Sequence, residues 1–492
     1  MLAKGSLVSA LRCSVSPSTE ESHHIHRRVS ERFTYSRTGI DQPNNLSNNL
    51  MSAISTRTGV PVSIRVGGTS MDNTIFNASN PAPLTPTGDE AVCGINTNRT
   101  IGSPWLSAFK SFNPGTRFTV ELPLARHDPV NRTVFAQACI AAMPDQIQQL
   151  DAIEIGNEPD LYPLFPQPPC GPDRPSSYGP DDYAAQWKGA VNNLSKQVGA
   201  LKGQKAWYQA LTFSSGVNQK IWNLTSTYGW TLDSQNYSYQ TKAYQLMNHS
   251  ITVSEMQSAF GTAISFLKTK RIPFILGEVG SALGVDNCTP NPELYGSLGG
   301  ALWTADFMLH AMTMGINRVS MQQVTNTNFS AWQPVTTPGV PKAMRGNWYG
   351  FVYAADFIGS GGNFQVQPLP IHTSHPNIVS YAGYNLGQLT KLAMLDMEFW
   401  NGVNDTGRPA VNIELADLDA NITGVRVSRL TAPGGSKELE NISWAGRQWS
   451  ADNDGQEPKG NNSVLVKVAN GSLAGNVTIL ASQALLLEMV RV

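Results

Sequence analysis

The sequence predicts an α/β fold in which a (β/α)8 TIM barrel is followed by a C-terminal all-β sandwich domain. From Asn44 onward, short apolar segments alternate with amphipathic helical segments, which is typical of a parallel barrel. Beyond about residue 362 the segments shorten and are separated by Gly, Pro and Asn, which favours a sandwich. We therefore expect an irregular N-terminal segment (1–40), a barrel (41–362) and a C-terminal domain (363–492).

The individual elements follow from hydrophobic periodicity and from the positions of Gly and Pro. The predicted barrel strands span residues 62–66, 118–122, 151–155, 206–210, 232–237, 273–280 and 318–323. The predicted helices are one with a face of Leu46, Leu50 and Ile54, then 131–143, 183–201, 252–269, 298–315 and one that opens at Asn347. The predicted C-terminal strands span 377–384, 391–400, 411–417, 422–430, 463–469 and 476–490. Only the first barrel strand is not legible.

The composition excludes several classes of function. Charged residues make up 14% of the chain, the formal net charge is −1 and the isoelectric point is near 6.7. Because no basic run resembles a phosphate-binding stripe, we expect no nucleic-acid partner. No apolar run reaches the length of a membrane span. His23, His24 and His26 lie close together, but they do not predict a metal site because no carboxylate or cysteine cluster supports them.

The chain is rich in sites for N-glycosylation. Its Asn-X-Ser/Thr sequons begin at Asn45, Asn77, Asn98, Asn131, Asn193, Asn223, Asn236, Asn248, Asn287, Asn328, Asn404, Asn421, Asn441, Asn461, Asn470 and Asn476. Random placement of its Asn, Ser and Thr would give roughly six, so the excess predicts a secreted glycoprotein. Residues 6–11 nevertheless make a poor leader, because Arg12 cuts their apolar stretch short. The five cysteines leave the disulfide pairing open.

Residues 151–160 are the first candidate for a catalytic segment. Residues 151–155 have the pattern of a buried strand, which Gly156-Asn157-Glu158-Pro159 ends abruptly, because Pro cannot donate to a sheet and restricts the residue before it. Glu158 is therefore expected at the carboxyl end of a barrel strand, where barrel enzymes place catalytic groups. The alternative is a solvated Glu in a turn.

A second acidic strand end favours the catalytic interpretation. Residues 273–280 form an apolar run that closes on the glycine-flanked carboxylate of Glu278. Enough chain lies between the two segments for three strand–helix units, so Glu158 and Glu278 can share one rim of the barrel. Paired carboxylates are what glycoside hydrolysis uses, one as acid/base and the other as nucleophile or base.

A third candidate is a charged residue inside a predicted strand. Arg65 interrupts the apolar residues 62–66. A buried Arg is costly unless it is paired, so we expect Arg65 to meet a carboxylate near the barrel rim. The alternative is an Arg on an edge strand in water.

The motifs around these residues resemble those of glycoside hydrolases. The order Arg65-Val-Gly-Gly, Ile155-Gly-Asn-Glu-Pro-Asp160 and Gly277-Glu278 is similar to the clan with catalytic carboxylates on strands four and seven. The narrower resemblance, to fungal enzymes of family 79, rests on Pro43-Asn-Asn-Leu46, residues 65–72, Trp332-Gln-Pro334 and Trp348-Tyr-Gly350. That family contains β-glucuronidases and, more distantly, heparanases. The resemblance covers roughly residues 40–492.

The resemblance implies a retaining, cofactor-free hydrolase that cleaves terminal β-linked glucuronic acid or 4-O-methyl-glucuronic acid from a carbohydrate substrate. Glu158 would be the acid/base and Glu278 the nucleophile. The substrate-binding candidates are Asn157, Arg65, Tyr237, Gln235, Trp332 and Tyr349. Among them, Asn157 would bind the 2-hydroxyl group of the sugar, and Arg65 would keep the nucleophile ionised.

Two departures from the family pattern leave alternatives open. The first strand, with its acidic end, is not legible in residues 15–40 beyond a remnant at 15–18, which implies either a diverged barrel or a wrongly assembled start. Gly280-Ser-Ala-Leu283 stands where some members carry a tyrosine-rich segment. A hydrolase of glucosides, an endo-acting hydrolase of acidic polysaccharides and a glycan-binding pseudo-enzyme therefore remain alternatives. The oligomeric state is not predicted.

Overall fold

The computed structural model describes residues 12–15, 43–72, 74–86, 99–163, 166–167, 171–201, 208–213, 232–234, 237–238, 246–281, 292–325, 327–370, 374–402 and 407–492. Within these ranges the chain forms a parallel barrel and an antiparallel C-terminal domain that share one hydrophobic core. No helix in these ranges is both long enough and apolar enough to cross a membrane.

Eight parallel strands close into the barrel. They are β1 (Arg12–Val15), β2 (Ser63–Val66), β3 (Arg117–Leu122), β4 (Leu150–Ile155), β5 (Tyr208–Phe213), β6 (Leu232–Ser234), β7 (Ile275–Gly280) and β8 (Arg318–Gln322). Each strand pairs with the next one in chain order, and β8 pairs with β1. The predicted barrel fold is therefore confirmed.

Strand β1 corrects the expectation of an irregular N-terminal segment, in which only residues 15–18 resembled the remnant of a strand. Residues 12–14 align with 63–65 on one side and with 320–322 on the other, both in parallel. A strand of four residues that begins with Arg12 is too short and too polar for its periodicity to be legible. The barrel therefore does not lack a strand, and β2 and β8 are not left as open edges. The rest of residues 1–40 lies outside the described ranges.

Helices cover the outside of the barrel. They are Asn45–Thr58 after β1, the 3-10 helix Ser103–Lys110 after β2, Pro129–Ala142 after β3, Pro180–Gln197 after β4, His249–Met256 and Thr262–Lys270 after β6, Leu298–Met314 after β7 and Gly346–Ile358 after β8. Short helical turns lie at Thr69–Asp72, Gln146–Gln148, Pro159–Leu161, Gly199–Leu201 and Pro292–Tyr295, and a π-helical turn, Gln257–Gly261, joins the two helices after β6.

The helix Asn45–Thr58 shows how local sequence sets these boundaries. It begins after Asn44, whose side chain accepts a hydrogen bond from the Ser47 N–H at 2.8 Å. It ends at Gly59, which has the left-handed φ of 70° that glycine adopts without strain. Its predicted apolar face is buried in the hydrophobic core.

Alternation along the strands separates an apolar outer side from a polar inner side. Val120 and Ile153 belong to the hydrophobic core that includes the covering helices. Glu121 and Glu154, one residue further along β3 and β4, are equally buried but charged. Because successive side chains of a strand point to opposite faces, the polar set lies inside the barrel.

The C-terminal domain consists of a large antiparallel sheet and a smaller second layer. The large sheet contains, in spatial order, Phe364–Pro368, Ile378–Asn385, Gln388–Asp396, Gln483–Arg491, Ile422–Thr431, Val464–Ala469 and Ser472–Leu473, with Ser443–Trp444 beside Ile422–Thr431. Ala410–Ile413 and Val477–Leu480 form the second layer, and Ile479 packs with Val425 between the layers. The single strand predicted at 476–490 is wrong, because the chain turns at Ser482 with a φ of 55°.

The other face of the large sheet packs on two barrel helices. Tyr353, in the helix Gly346–Ile358, donates a hydrogen bond from its hydroxyl to the Leu485 carbonyl at 2.8 Å. Trp444 donates from its indole to Asp356 at 2.6 Å. Barrel and sheet cover this helix from opposite sides, which explains why it is apolar on nearly all faces.

Candidate active site

Arg65 lies at the centre of a buried cluster inside the barrel. Its Nε donates to both carboxylate oxygens of Glu154, at 2.9 and 3.1 Å. Its Nη1 donates to Oε2 of Glu278 at 2.7 Å, and its Nη2 donates to Glu154 and, at 2.9 Å, to Oδ1 of Asn157. The prediction that Arg65 meets a carboxylate is therefore confirmed. One guanidinium joins the ends of β4 and β7.

Two glutamines complete the hydrogen bonding of these carboxylates. Gln322, at the end of β8, donates to Oε1 of Glu278 at 2.7 Å, so each oxygen of Glu278 accepts a hydrogen bond. Gln209, in β5, donates to Oε2 of Glu154 at 2.8 Å. The strand register explains the second contact, because Gln209 is aligned with Glu154 across β4 and β5. The carboxylate of Glu278 is thus fixed in one orientation.

Glu121 supplies a further buried carboxylate to the cluster. One of its oxygens lies 3.6 Å from Nη2 of Arg65 and accepts a hydrogen bond from the Gly68 N–H. Burial and the neighbouring Asp72 raise the pKa of Glu121 well above its usual range. Burial alone would lower the pKa of Arg65, but the charges of the surrounding glutamates outweigh this effect and raise it above its ordinary value. Arg65 is therefore a permanent cation in this site.

Glu158 follows β4 in a left-handed backbone conformation, with φ 47° and ψ 52°. Such a conformation costs a non-glycine residue of order 1–3 kcal/mol and persists only where the surroundings enforce it. Asn157 donates from Nδ2 to Oε2 of Glu158 at 3.3 Å. The other oxygen, Oε1, is buried and has no hydrogen-bond partner in the described part of the chain.

The two carboxyl groups differ in their electrostatic surroundings. Burial raises the pKa of Glu158 to about 8, and the charges of Glu278 and Asp160 contribute to the rise. Burial also raises the pKa of Glu278, but the charge and hydrogen bond of Arg65 oppose this rise. The arrangement favours a neutral Glu158 beside an ionised Glu278, which is the pairing of a proton donor with a nucleophile.

The structure brings four of the predicted site residues together and places a fifth beside them. Glu158, Glu278, Asn157 and Arg65 form one hydrogen-bonded cluster. The backbone of Tyr237 pairs with Val279, the residue after the predicted nucleophile. This register puts Tyr237 at the same rim. Its side chain, and all of Gln235, lie outside what the structure describes.

Trp332 and Tyr349, which were also predicted to bind substrate, are buried and form hydrogen bonds within the protein. Trp332 is 2% exposed and donates from its indole to the Ser47 hydroxyl at 2.8 Å, in the core beside the first helix. Tyr349 is 5% exposed, and its hydroxyl accepts a hydrogen bond from the Trp449 N–H of the C-terminal domain at 3.1 Å. Both side chains are therefore used within the protein.

Five polar residues of the cluster were not identified from the sequence: Asp72, Glu121, Glu154, Gln209 and Gln322. For the four of them on strands, the available signal is a charged or amide residue within an otherwise apolar strand, since a closed barrel points alternate positions inward. Asp72, on the short helix after β2, lacks this signal. Among the described residues, no group of three or more His, Cys, Asp or Glu side chains could hold a metal ion.

The chain is similar to known glycoside hydrolases. Residues 380–486 match the glycosyl hydrolase family 79 C-terminal beta domain. A β-glucuronidase of Neurospora crassa is 26% identical over 481 residues, covering 85% of this chain and 82% of that protein. A β-glucuronidase of Aspergillus niger is 26% identical over 446 residues, covering 84% and 79%.

Solved structures share the fold over both domains. A 4-O-α-L-rhamnosyl-β-D-glucuronidase from Fusarium oxysporum superposes with a TM-score of 0.75 at 18% identity, over 98% of this chain and 96% of that chain. An arabinofuranosidase superposes with a TM-score of 0.62 at 12% identity, over 99% and 97%. These solved structures show the fold, and the matched C-terminal domain and the two fungal relatives show a β-glucuronidase-like glycoside hydrolase that carries the family 79 C-terminal domain.

Proposed function

We propose that the protein is an exo-acting, retaining β-glucuronidase. It would release terminal β-linked glucuronic acid, or 4-O-methyl-glucuronic acid, from a glycan or a glucuronide by double displacement. The observation that carries the proposal is the guanidinium of Arg65, which pairs with Glu278 and holds Asn157 beside Glu158. The two fungal relatives, both β-glucuronidases, support the choice of sugar.

In the first step Glu278 acts as the nucleophile. One of its carboxylate oxygens forms a bond to the anomeric carbon while the glycosidic C–O bond breaks, and Glu158 transfers its proton to the departing oxygen. Arg65 and Gln322 hold the attacking carboxylate, and the charge of Arg65 favours its ionised form. The products are a glycosyl ester on Glu278 and a free alcohol.

In the second step Glu158 acts as the base. It takes a proton from a water molecule, whose oxygen displaces Glu278 from the anomeric carbon with a second inversion. The ester no longer carries the negative charge of Glu278, which is one cause of the raised pKa of Glu158. The pKa of Glu158 therefore falls once the ester forms, which suits its change from acid to base. Asn157 supplies the amide for the 2-hydroxyl group.

Turnover of aryl glycosides tests this proposal. The chain and its Glu278→Gln variant would each be given 4-nitrophenyl β-glucuronide and 4-nitrophenyl β-glucoside. The proposal predicts turnover of the glucuronide in preference to the glucoside, and a loss of roughly three orders of magnitude or more in the variant, because the nucleophile is missing. If soluble, folded protein hydrolysed neither substrate, this result would contradict the proposal.

The two hydrolase alternatives differ in the sugar and in the point of attack. A higher rate on the β-glucoside would favour a glucosidase of the same clan. Oligosaccharide products from an acidic polysaccharide would favour endo action, whereas the exo proposal predicts release of a monosaccharide. Both alternatives keep Glu158 and Glu278 in the same roles.

A glycan-binding pseudo-enzyme is the alternative from a different class. Its main support in the sequence is the illegible first strand, and β1 removes that support because it completes the ring between β2 and β8. Binding of glucuronide oligosaccharides by calorimetry, without turnover, would favour this alternative.

We also propose that the protein is secreted and N-glycosylated, on the basis of its many sequons. Asn131 is expected to remain unmodified, because its side chain donates to the Phe76 carbonyl at 2.6 Å and accepts from the Phe76 N–H at 2.9 Å. Asn461, which is exposed, is expected to carry glycan. Mass spectrometry after enzymatic deglycosylation in heavy-oxygen water marks each glycosylated Asn. If protein secreted from a fungal host carried this label at none of its sequons, the result would contradict the proposal.

A further inference from the structure

We infer that Asp72 is a positioning residue for Glu158, since it holds the turn that carries the proposed acid/base. Asp72 is 2% exposed and ends the short helix that follows β2. Its Oδ1 accepts hydrogen bonds from the N–H groups of Leu124 at 2.7 Å and Ala125 at 3.2 Å. Its Oδ2 accepts from the Asn157 N–H at 2.8 Å and from the Tyr162 hydroxyl.

These bonds join three loops of the barrel rim. Asp72 follows β2, Leu124 follows β3, and Asn157 follows β4. All four donors come from the protein, so the carboxylate acts as an internal acceptor and not as a contact for the sugar. Through these bonds, the Asp72 carboxylate fixes the loop after β4 relative to the end of β2.

The two groups that donate to Oδ2 lie before and after Glu158 in the chain. Asn157 precedes it, and Tyr162 ends the turn that follows it, in which the Leu161 N–H donates to the Glu158 carbonyl at 2.8 Å. Glu158 has the left-handed conformation that its surroundings must enforce. Asp72 contacts the residues at both ends of that turn.

An amide cannot reproduce this set of bonds. A carboxylate offers two acceptor oxygens, whereas the Asn side chain offers one acceptor oxygen and an NH2 group that only donates. In an Asp72→Asn variant the NH2 group would face either the Asn157 N–H or the pair of N–H groups at residues 124 and 125. The side-chain volume is nearly unchanged, so the substitution removes the hydrogen bonds to one of the two carboxylate oxygens without creating a cavity.

The catalytic consequence rests on the proposed function and depends on the leaving group. An alkoxide leaves only if Glu158 protonates it, whereas 2,4-dinitrophenolate leaves without a proton. Displacing Glu158 should therefore lower kcat/KM for an alkyl β-glucuronide far more than for 2,4-dinitrophenyl β-glucuronide. General loss of folded protein would lower both values equally.

The experiment compares Asp72→Asn with Glu158→Gln and with Asp306→Asn as a matched control. Asp306 is also a buried aspartate that accepts a hydrogen bond from a tyrosine hydroxyl, that of Tyr381 at 2.6 Å. It lies in the helix Leu298–Met314, and Tyr381 belongs to the C-terminal domain. We expect Asp72→Asn to lower kcat/KM by about 100-fold or more on the alkyl substrate and by less than about fivefold on the dinitrophenyl substrate. Asp306→Asn should lower both to the same extent. Equal losses on both substrates in Asp72→Asn would overturn the inference.

Hydrogen exchange gives a second readout that needs no substrate. Asp72→Asn should speed exchange of the amides at residues 157–162 about tenfold or more relative to those of β4, whereas Asp306→Asn should leave this ratio unchanged. If the wild type hydrolyses no glycoside, the proposed function fails and the exchange result alone decides the inference. Unchanged exchange at residues 157–162 would overturn it.

If Asp72→Asn does not fold, Tyr162→Phe removes a single donor and should show the same pattern with smaller changes.

Discussion

At the scale of single residues, one guanidinium meets several buried carboxylates. Arg65 pairs with Glu154 and Glu278, and Glu121 lies within 3.6 Å of it. Ion pairs of this kind are weak contributors to stability, because burial costs each partner its hydration. We interpret the cluster as electrostatic preorganisation, in which Arg65 favours the anionic form of Glu278, while burial and the charges of Glu278 and Asp160 favour the neutral form of Glu158.

The pH dependence of kcat/KM follows from these two carboxyl groups. The rate requires an ionised Glu278 and a protonated Glu158, so it should rise with pH as Glu278 loses its proton and fall as Glu158 loses its own. The pKa of Glu158, raised to about 8 by burial and by neighbouring charge, sets the falling limb. We expect a tenfold decrease per pH unit above that value, measured on 4-nitrophenyl β-glucuronide.

The Glu278→Gln variant supplies the control for this assignment. Removing the charge of Glu278 should lower the pKa of Glu158, which carbon-detected NMR of labelled glutamate can follow without turnover. A falling limb near pH 5 in the wild type, or a pKa of Glu158 that does not respond to the substitution, would contradict the assignment.

At the scale of elements, the turn after β4 depends on a close approach at Gly156. This residue has a φ of 82°, and a Cβ atom there would lie 2.7 Å from the Tyr162 hydroxyl and 2.8 Å from Cβ of Leu124. Gly156→Ala should therefore destabilise the fold by about 1–3 kcal/mol and displace Glu158. We expect at least a tenfold loss of kcat/KM, with stability measured by urea unfolding.

Gly189 provides the matched control for that substitution. It lies in the helix Pro180–Gln197, and a Cβ atom there would meet nothing within 4 Å. Gly189→Ala should stabilise the protein by about 0.5–1 kcal/mol and leave kcat/KM unchanged. Equal behaviour of the two variants would show that the turn does not need glycine.

The sequence predicts those elements whose local pattern is strong. Strands β4 and β7 are legible because an apolar run ends on a Glu flanked by Gly or Pro, and the structure joins their ends through Arg65. Strand β1 is not legible, because pairing on both sides and not its own composition makes it a strand. The strand structure of residues 12–15 therefore depends on β2 and β8, which are distant in the chain.

The site is predictable to the extent that its residues occur in recognisable motifs. Trp332 and Tyr349 belong to such motifs, but the motifs encode packing between the helices and the C-terminal domain. Asp72 also lies in such a motif, residues 65–72, but its contacts are 52 or more residues away in the chain, so the motif does not show which groups it holds. Only the closed barrel brings these residues together.

At the scale of the whole molecule, the C-terminal domain completes the barrel. The helices Leu298–Met314 and Gly346–Ile358 are buried over most of their residues, and the same hydrophobic core continues into the C-terminal domain through Trp449 and Leu486. A backbone bond from the Leu298 N–H to the Glu438 carbonyl at 2.9 Å adds a polar link. Each domain therefore covers apolar surface of the other.

Truncation after residue 362 tests this dependence. The remaining chain would expose both helices to water, so we expect it to aggregate or to bind a hydrophobic dye, whereas the full chain should unfold in one cooperative transition by calorimetry. A soluble, active barrel without the C-terminal domain would contradict this view of the interface.

Covalent trapping of the nucleophile tests the central claim most directly. A 2-deoxy-2-fluoro-β-glucuronyl fluoride slows both steps but retains a good leaving group, so a retaining enzyme accumulates the glycosyl ester. Mass spectrometry of proteolytic peptides should find one label per chain, on Glu278, and no label in Glu278→Gln. A label on another residue, or turnover of a glucuronide with inverted configuration and no labelling, would contradict the assignment of Glu278 as the nucleophile of a retaining β-glucuronidase.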